Sequence, residues 1–147
     1  MTSGRASSIA VLASVLLLLG LAACGGEGGG GGGGDLAAEA AESAQLMDDV
    51  ESLPDRAATD EQFVQELAAV RDRVQQQIQD VASADASEEQ GPQRERLASR
   101  LRELRTQLGR VSSLAAGGNV EDAAEIVVGL SALDAVRNAA DEIQSGG

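Results

Sequence analysis

A run of apolar residues between positions 97 and 115 most tightly limits what this chain can fold into. Steps of 4, 3, 4, 3 and 4 residues separate its members, which are Leu97, Leu101, Leu104, Leu108, Val111 and Ala115. This spacing places all six on one face of an α-helix and is typical of a contact with other helices. Pro92 suits the first turn of this helix, and Gly117-Gly118 suits its end. We call these six residues the seam, and the fold has to supply partner helices that bury it.

Two earlier segments carry apolar residues at the same helical spacing. The first helix is predicted from about Asp35 to Leu53, and Pro54 ends it. The second helix is predicted from about Asp60 to Ala82. Just before it, Thr59 and, three residues later, Gln62 match a capping box, which satisfies free N–H groups at a helix start.

A fourth helix is predicted after the two glycines, from Asn119 to about Ser145. Asn119 is expected to cap it, because an asparagine side chain can accept hydrogen bonds from the first turn. Its apolar positions keep the helical period and are Ile126, Val127, Leu130, Leu133, Val136, Ala140 and Ile143. We therefore expect one continuous helix with these residues on its inner face.

These segments predict an all-α fold for residues 35–147. No segment alternates apolar and polar residues over a strand length, and the connections are short. The expected architecture is a small antiparallel up-down bundle of three to four helices, since the first helix could dock loosely on a core of three.

Charge is distributed unevenly among these helices and predicts their order. The chain has 24 acidic residues against 11 arginines, a net charge of −13, yet the third helix carries six arginines: Arg94, Arg96, Arg100, Arg102, Arg105 and Arg110. A positive helix is favoured between acidic ones, so the third helix is expected beside the second and the fourth. Arg100 and Arg105 flank the seam, where we expect them to contact acidic side chains of those neighbours. The alternative is that Arg96 with Arg100, or Arg102 with Arg105, clamps a carboxylate or phosphate partner.

The N-terminal 24 residues have a different character. Arg5 precedes an apolar run from Ile9 to Leu19, which has the length of a signal-peptide core and is shorter than a membrane span. The run leads into Leu21-Ala22-Ala23-Cys24, and Cys24 is the only cysteine in the chain. An aliphatic residue, two small residues and a cysteine resemble the lipobox of bacterial lipoprotein precursors.

This resemblance covers residues 1–24 and implies a defined maturation. Residues 1–23 would be a signal peptide that lipoprotein signal peptidase recognises at Leu21, Ala22 and Ala23 and removes before Cys24. The Cys24 thiol would carry diacylglycerol, so membrane lipid is the first expected partner. The implied location is the extracytoplasmic side of the cell membrane. The alternative is an ordinary signal peptide with an incidental cysteine.

The composition of the segment from Cys24 to Gly34 predicts a linker. Nine of the ten residues after Cys24 are glycine, and Glu27 is the exception. Glycine has the largest backbone entropy and nothing to bury, so we expect a flexible tether with a reach of roughly 17 Å on average. A nucleotide site is not expected here, because a phosphate-binding loop requires a preceding strand and a lysine, and the chain has no lysine.

The residue types available exclude most catalytic chemistry. The chain contains no histidine and no lysine, which rules out serine–histidine and serine–lysine catalysis and the usual zinc, copper and haem ligands. Acidic residues cluster between the first two helices, and Asp48, Asp49 and Asp55 are the candidates there for weak Ca²⁺ or Mg²⁺ binding. No alternating calcium-loop motif is present, so a solvated helix end is the favoured interpretation, and we expect no enzyme activity, metal or cofactor.

Three functional hypotheses follow for the helical domain. The favoured one is a non-enzymatic, lipid-anchored envelope protein that binds or scaffolds another envelope protein. The second is a carrier of a small apolar ligand or of a weakly bound divalent cation. The third is a structural spacer that forms homo-oligomers through the seam. The acidic surface argues against a nucleic-acid partner.

Overall fold

The computed structural model describes residues 35–146, which form six helical segments and no strand. The segments are α1 (Leu36–Glu51), α2 (Leu53–Arg56), α3 (Asp60–Ser83), α4 (Gly91–Ala116), α5 (Val120–Val128) and α6 (Ser131–Ser145). The predicted all-α fold is therefore confirmed. The predicted signal peptide, the linker up to Gly34 and the lipidation residue lie outside the described residues.

The four longer helices form an up-down bundle in the order α1, α3, α4, α6. Each packs against the next, and α6 closes the ring by packing against α1. Side-chain contacts show the antiparallel direction of α3 and α4. Arg94 at the start of α4 donates to the carbonyl oxygen of Ala84 just after α3, and Arg71 contacts Ser112 near the end of α4. As predicted, the positive helix α4 lies between α3 and α6.

The first helix is an integral part of this bundle. Its residues Leu36, Ala40, Met47 and Val50 are fully buried, and α1 contacts both α3 and α6. Of the two arrangements that the sequence leaves open, the structure adopts the four-helix one. The apolar stripe of α1 is long enough to bury one face along the whole helix, which explains why it docks.

The seam is the centre of the core. All six seam residues of α4 are at most 3% exposed, and they pack with the inner faces of α1, α3 and α6 in one continuous cluster. Phe63, the only aromatic residue of the chain, is also in this cluster. Because the monomer buries its own seam, self-association through the seam would require the bundle to open.

Local signals place several helix ends as predicted. Thr59 Oγ1 accepts a hydrogen bond from the N–H of Gln62 at 3.2 Å, while Gln62 Oε1 accepts from the N–H of Ala58. The reciprocal half of the capping box therefore falls one residue earlier than the motif implies. At the end of α4, Gly118 has φ +90°, a left-handed conformation that favours glycine and turns the chain out of the helix.

Pro54 does not end helical structure as predicted. α1 ends at Glu51, and Pro54 lies in the short helix α2, which begins at Leu53. A proline is tolerated in a first helical turn because its missing N–H has no partner there. Leu53 is fully buried, so α2 lets the chain turn while keeping an apolar side chain in the core.

The prediction of a continuous fourth helix is wrong, because the chain leaves the helix between α5 and α6. Gly129 ends α5, and Leu130 adopts an extended conformation with φ −67° and ψ 113° before α6 begins. α5 packs mainly across α4 and α2, whereas α6 packs along α1 and α4. One straight helix could not make both sets of contacts, and glycine is a weak helix former at which to interrupt it.

This interruption also changes which side chains are buried. Val127 is fully buried under α5, but Ile126, predicted to face inward, is 46% exposed, and Val128 is 52% exposed. Asn119 precedes α5 as predicted, yet its side chain makes no capping hydrogen bond there. The apolar residues of α6, from Leu133 to Ile143, do face the core.

Candidate functional site

The strongest sequence motif, Leu21-Ala22-Ala23-Cys24, lies outside the described residues, so acylation stays a prediction. The described chain begins at Asp35, whose carboxylate accepts a hydrogen bond from the N–H of Ala37 at 3.1 Å. Asp35 also forms an isolated backbone bridge with Asp85. The chain thus enters the bundle at the end where α3 stops and α4 begins.

Two of the three acidic metal candidates, Asp48 and Asp49, lie at the opposite end of α1 and contact arginines. Asp48 Oδ1 accepts a hydrogen bond from Arg137 on α6 at 2.9 Å, and Asp49 Oδ2 accepts one from Arg73 on α3 at 2.6 Å. Asp55 is exposed on α2. In residues 35–146, no group of three or more acidic side chains is arranged to hold a metal ion. Asp48 and Asp49 instead tie α1 to its two neighbours.

Arg137 is the most connected of these charges. Its guanidinium forms ion pairs with Asp48 and Glu51 of α1 and with Asp134 one turn earlier in α6. The hydrogen bonds to Glu51 and then to Asp48 raise the pKa of Arg137 further above its already high value. The guanidinium therefore stays charged, and the cluster fixes the position of α6 on α1.

Two arginines of α4, Arg100 and Arg105, do not form the contacts predicted for them. Arg100 pairs with Glu103 of its own helix at 3.0 Å, and Arg105 donates to the amide oxygen of Gln75 on α3. The prediction that both meet acids of neighbouring helices is therefore wrong. Arg96 does bridge to α6, where it pairs with Glu142. Such exposed pairs are worth about 0–1 kcal/mol each, so they favour this helix order and add little stability.

A polar contact interrupts the apolar interface between α1 and α3. Gln77 on α3 is 7% exposed, and its Nε2 donates to the backbone oxygen of Glu39 at 3.1 Å and to Glu39 Oε2 at 3.0 Å. Burial raises the pKa of Glu39 above its ordinary value, and the nearby Glu42 and Asp80 add to this rise, while the Gln77 hydrogen bond opposes it. The Glu39 carboxylate is consequently less stable in the folded chain than in the unfolded one.

We expect Glu39→Gln to raise the stability of the bundle near pH 7 by about 0.5 kcal/mol, the scale of a substitution near the surface. A carboxyl group whose folded pKa is raised stabilises the fold fully below its unfolded pKa and loses that contribution as the pH rises through its folded pKa. The advantage of the glutamine should therefore vanish as the pH falls below the ordinary glutamate range. Urea unfolding followed by circular dichroism from about pH 3 to pH 8 measures it. Glu125→Gln, at an exposed position of α5, is the control for the lost charge, and an equal effect there would contradict the expectation.

A groove lies between the C-terminal part of α4 and the junction of α5 with α6. Its volume is about 420 Å³, and it is lined by Gln107, Arg110, Val111, Leu114, Ile126 and Leu130. Four of these six side chains are aliphatic. Ile126 and Val128 are the two large apolar side chains that stand exposed in the described part of the chain, and Ile126 lies on this groove.

The groove could not be predicted from helical periodicity, because it depends on the interruption at Gly129. A continuous helix would turn Ile126 toward the core. The available signal was the glycine itself, together with three consecutive β-branched residues from Ile126 to Val128, which one face of a helix cannot bury together.

A second concavity of about 330 Å³ lies between α2, α3 and α5, with Phe63 and Val120 among its lining residues. Its lining is mixed, with Thr59, Asp60 and Glu121 contributing polar atoms. It contains no arginine, and Phe63 is almost fully buried beneath it. The groove beside α4 is therefore the better candidate for a ligand.

No family model, no curated protein and no solved structure matches this chain. None of the helices in residues 35–146 is long and apolar enough to cross a membrane.

Proposed function

We propose that this chain is a non-enzymatic lipoprotein of the cell envelope that is anchored through Cys24 and acts as a binding or scaffolding module. The observation that carries the proposal is the motif Leu21-Ala22-Ala23-Cys24 after a short apolar run. The only sulfhydryl of the chain stands at the one position where a lipobox requires it. Two or three acyl chains on one cysteine give stable anchoring, whereas a single chain binds a bilayer only marginally.

The organisation of the bundle is compatible with this anchor. Within residues 35–146 the core runs from Leu36 to Ile143, so it begins twelve residues after the proposed lipidation site. The described chain enters the bundle beside Asp85, and α2 and α5 lie at the far end, opposite this entry point. We propose that a partner is met on the sides and far end of the bundle.

A non-enzymatic role is supported by where the carboxylates lie. Asp48, Asp49 and Glu51 form ion pairs with arginines, and Glu39 is hydrogen bonded to an amide. Acid–base catalysis by carboxylates requires a pair with different proton affinities in one cleft. With no histidine, lysine or second sulfhydryl in the chain, the remaining side chains offer recognition rather than bond cleavage.

The alternatives rest on different features. A spacer that self-associates through the seam would have to expose residues that the monomer buries. A divalent-cation carrier would use acids that here contact arginines. A small-ligand carrier is favoured by a specific observation, the groove beside α4, and is the second candidate.

Mass spectrometry of the protein purified from native membranes tests the anchor. We expect the mature chain to begin at Cys24 and to weigh more than residues 24–147 by a thioether-linked diacylglycerol, with or without a third acyl chain on the amino group. A mature terminus elsewhere, or an unmodified thiol, would refute the lipoprotein assignment.

Crosslinking in intact cells tests the scaffold. The chain has no lysine, so amine-directed reagents do not reach the bundle, and a photoreactive residue at an exposed position such as Thr106 or Val128 is required. We expect one discrete heterologous adduct. A ladder of self-adducts alone would favour the spacer, and the absence of any adduct from several positions would count against a protein partner.

A further inference from the structure

The groove between α4 and α5 joins an apolar floor to an exposed aliphatic wall. Val111 and Leu130, at 3% and 8% exposed, form the floor, and Ile126, at 46%, forms the wall on α5. Removing apolar surface from water is favourable, so a ligand that covers the exposed side chain of Ile126 gains binding free energy. A volume of about 420 Å³ lies in the range of small-ligand pockets, about 300–1,000 Å³.

One charged residue lines this groove, and it is cationic. Arg110 is exposed, and it takes part in none of the ion pairs formed among residues 35–146. Arg71, Arg94, Arg102 and Arg105 likewise form no ion pair in this part of the chain, so what distinguishes Arg110 is its place on an apolar groove. The acidic residues of α5, including Glu125 next to Ile126, do not line the groove. A guanidinium binds a carboxylate through two parallel hydrogen bonds, and Gln107, one turn earlier in α4, adds a neutral amide.

We propose that this groove binds a single-chain amphiphile with an anionic head group, of which a fatty acid is the simplest example. The aliphatic chain lies against Val111, Leu114, Ile126 and Leu130, and the head group pairs with Arg110. The positive charge of Arg110 favours an anionic head group over a neutral or a cationic one. The proposal concerns residues 107–130 and does not depend on acylation of Cys24.

The size of the groove favours a small ligand over a protein. A stable protein–protein interface buries about 1,200–2,000 Å² in total, far more than six lining residues provide. Val128, the other exposed aliphatic residue, does not line the groove and so does not extend it into a larger apolar face. A second copy of the chain is therefore the less favoured occupant.

Calorimetric titration with decanoate tests the proposal. The protein is the chain from position 24 onward with Cys24→Ser. It retains every core residue that the structure describes and lacks the apolar run from Ile9 to Leu19, which would itself bind amphiphiles. Decanol and decyltrimethylammonium have the same alkyl length, with a neutral and a cationic head group respectively. Each ligand is used below the concentration at which it aggregates. We expect saturable binding of one decanoate, with decanol about tenfold weaker and the cation weaker still.

Three variants locate the site. Arg110→Gln should weaken decanoate about tenfold and leave decanol unchanged, because it removes only the charged partner. Ile126→Gln should weaken both. Val128→Gln, the matched control on the same helix, should change neither. Ile126 and Val128 are both about half exposed, so neither substitution is expected to unfold the bundle, and circular dichroism verifies this.

Several results would overturn the proposal. The first is equal affinity of the protein for the three ligands. The second is binding of decanoate that does not saturate, and the third is binding of decanoate that is unchanged by Ile126→Gln. Light scattering that shows a dimer dissociated by Ile126→Gln would assign the groove to a second copy and would equally refute it. Because the titration uses a chain without the anchor, its failure leaves the lipoprotein assignment standing, and the membrane experiments can fail while this one succeeds.

Discussion

Replacing Cys24 with serine is expected to abolish both lipid attachment and cleavage between Ala23 and position 24. A serine hydroxyl is a much weaker nucleophile than a thiolate, so it does not accept diacylglycerol. The resemblance to lipoprotein precursors implies that the peptidase acts after lipid is attached, so the variant should keep residues 1–23 or be cut elsewhere. Metabolic labelling with a fatty acid, together with the mass of the N-terminal peptide, measures both losses, and we expect incorporation to fall to background.

A matched variant separates this effect from a general defect in export or folding. Ala37→Ser introduces one hydroxyl at an exposed position of α1 and should leave labelling and maturation unchanged. If the Cys24→Ser protein still matured at the same bond and stayed in the membrane pellet after a high-salt wash, the anchor would not depend on the sulfur. The proposed envelope function would then lose its main support.

Replacing Leu101 with alanine is expected to cause a large loss of stability, as truncation of any fully buried leucine of the seam should. Leu101 is fully buried near the middle of α4, where α3 and α6 pack on either side. Truncating a buried leucine to alanine costs about 2–5 kcal/mol, because the transfer free energy is lost and a cavity remains. For a domain of this size the thermal midpoint should fall by about 10 °C or more.

Circular dichroism at 222 nm is the appropriate measurement, since the chain has neither tryptophan nor tyrosine for fluorescence. Val128→Ala, at a side chain that is 52% exposed, is the comparison and should cost about 0.5 kcal/mol or less. If Leu101→Ala lowered the free energy of unfolding by less than about 1 kcal/mol, or by as much as Val128→Ala, burial of the seam would not be a main source of stability. A change in oligomeric state on Leu101→Ala would point instead to an intermolecular seam.

The long helices could be predicted because their signals are periodic and repeated. The seam repeats its 4-3 spacing over nineteen positions, from Leu97 to Ala115, and all six residues are buried as that spacing requires. The α3 stripe, which runs from Phe63 to Val81, behaves in the same way. Thr59 and the glycines after α4 also act where their backbone chemistry predicts. Each of these signals is local, so no knowledge of the neighbouring helices was needed.

The contacts of individual charges could not be predicted in the same way. Long arginine side chains reach several partners at nearly equal free energy, so small differences in helix register decide which one is met. Arg100 therefore pairs within its own helix, and Arg105 meets an amide. Arg137, which carried no sequence signal, joins α6 to Asp48 and Glu51 of α1.

The sequence alone determined that residues 35–146 form antiparallel helices with the arginine-rich one between two acidic neighbours, because helical periodicity and net charge are properties of each segment. It also predicts where a lipid would be attached, because the segment that resembles a lipobox is a linear motif. Only the tertiary structure decided that the last apolar segment bends at Gly129. α5 covers the end of the bundle and α6 packs along its side, so the chain has to change direction between them. The positions of the other helices set this requirement. The same bend exposes Ile126 beside Arg110, so the candidate ligand groove is a product of packing.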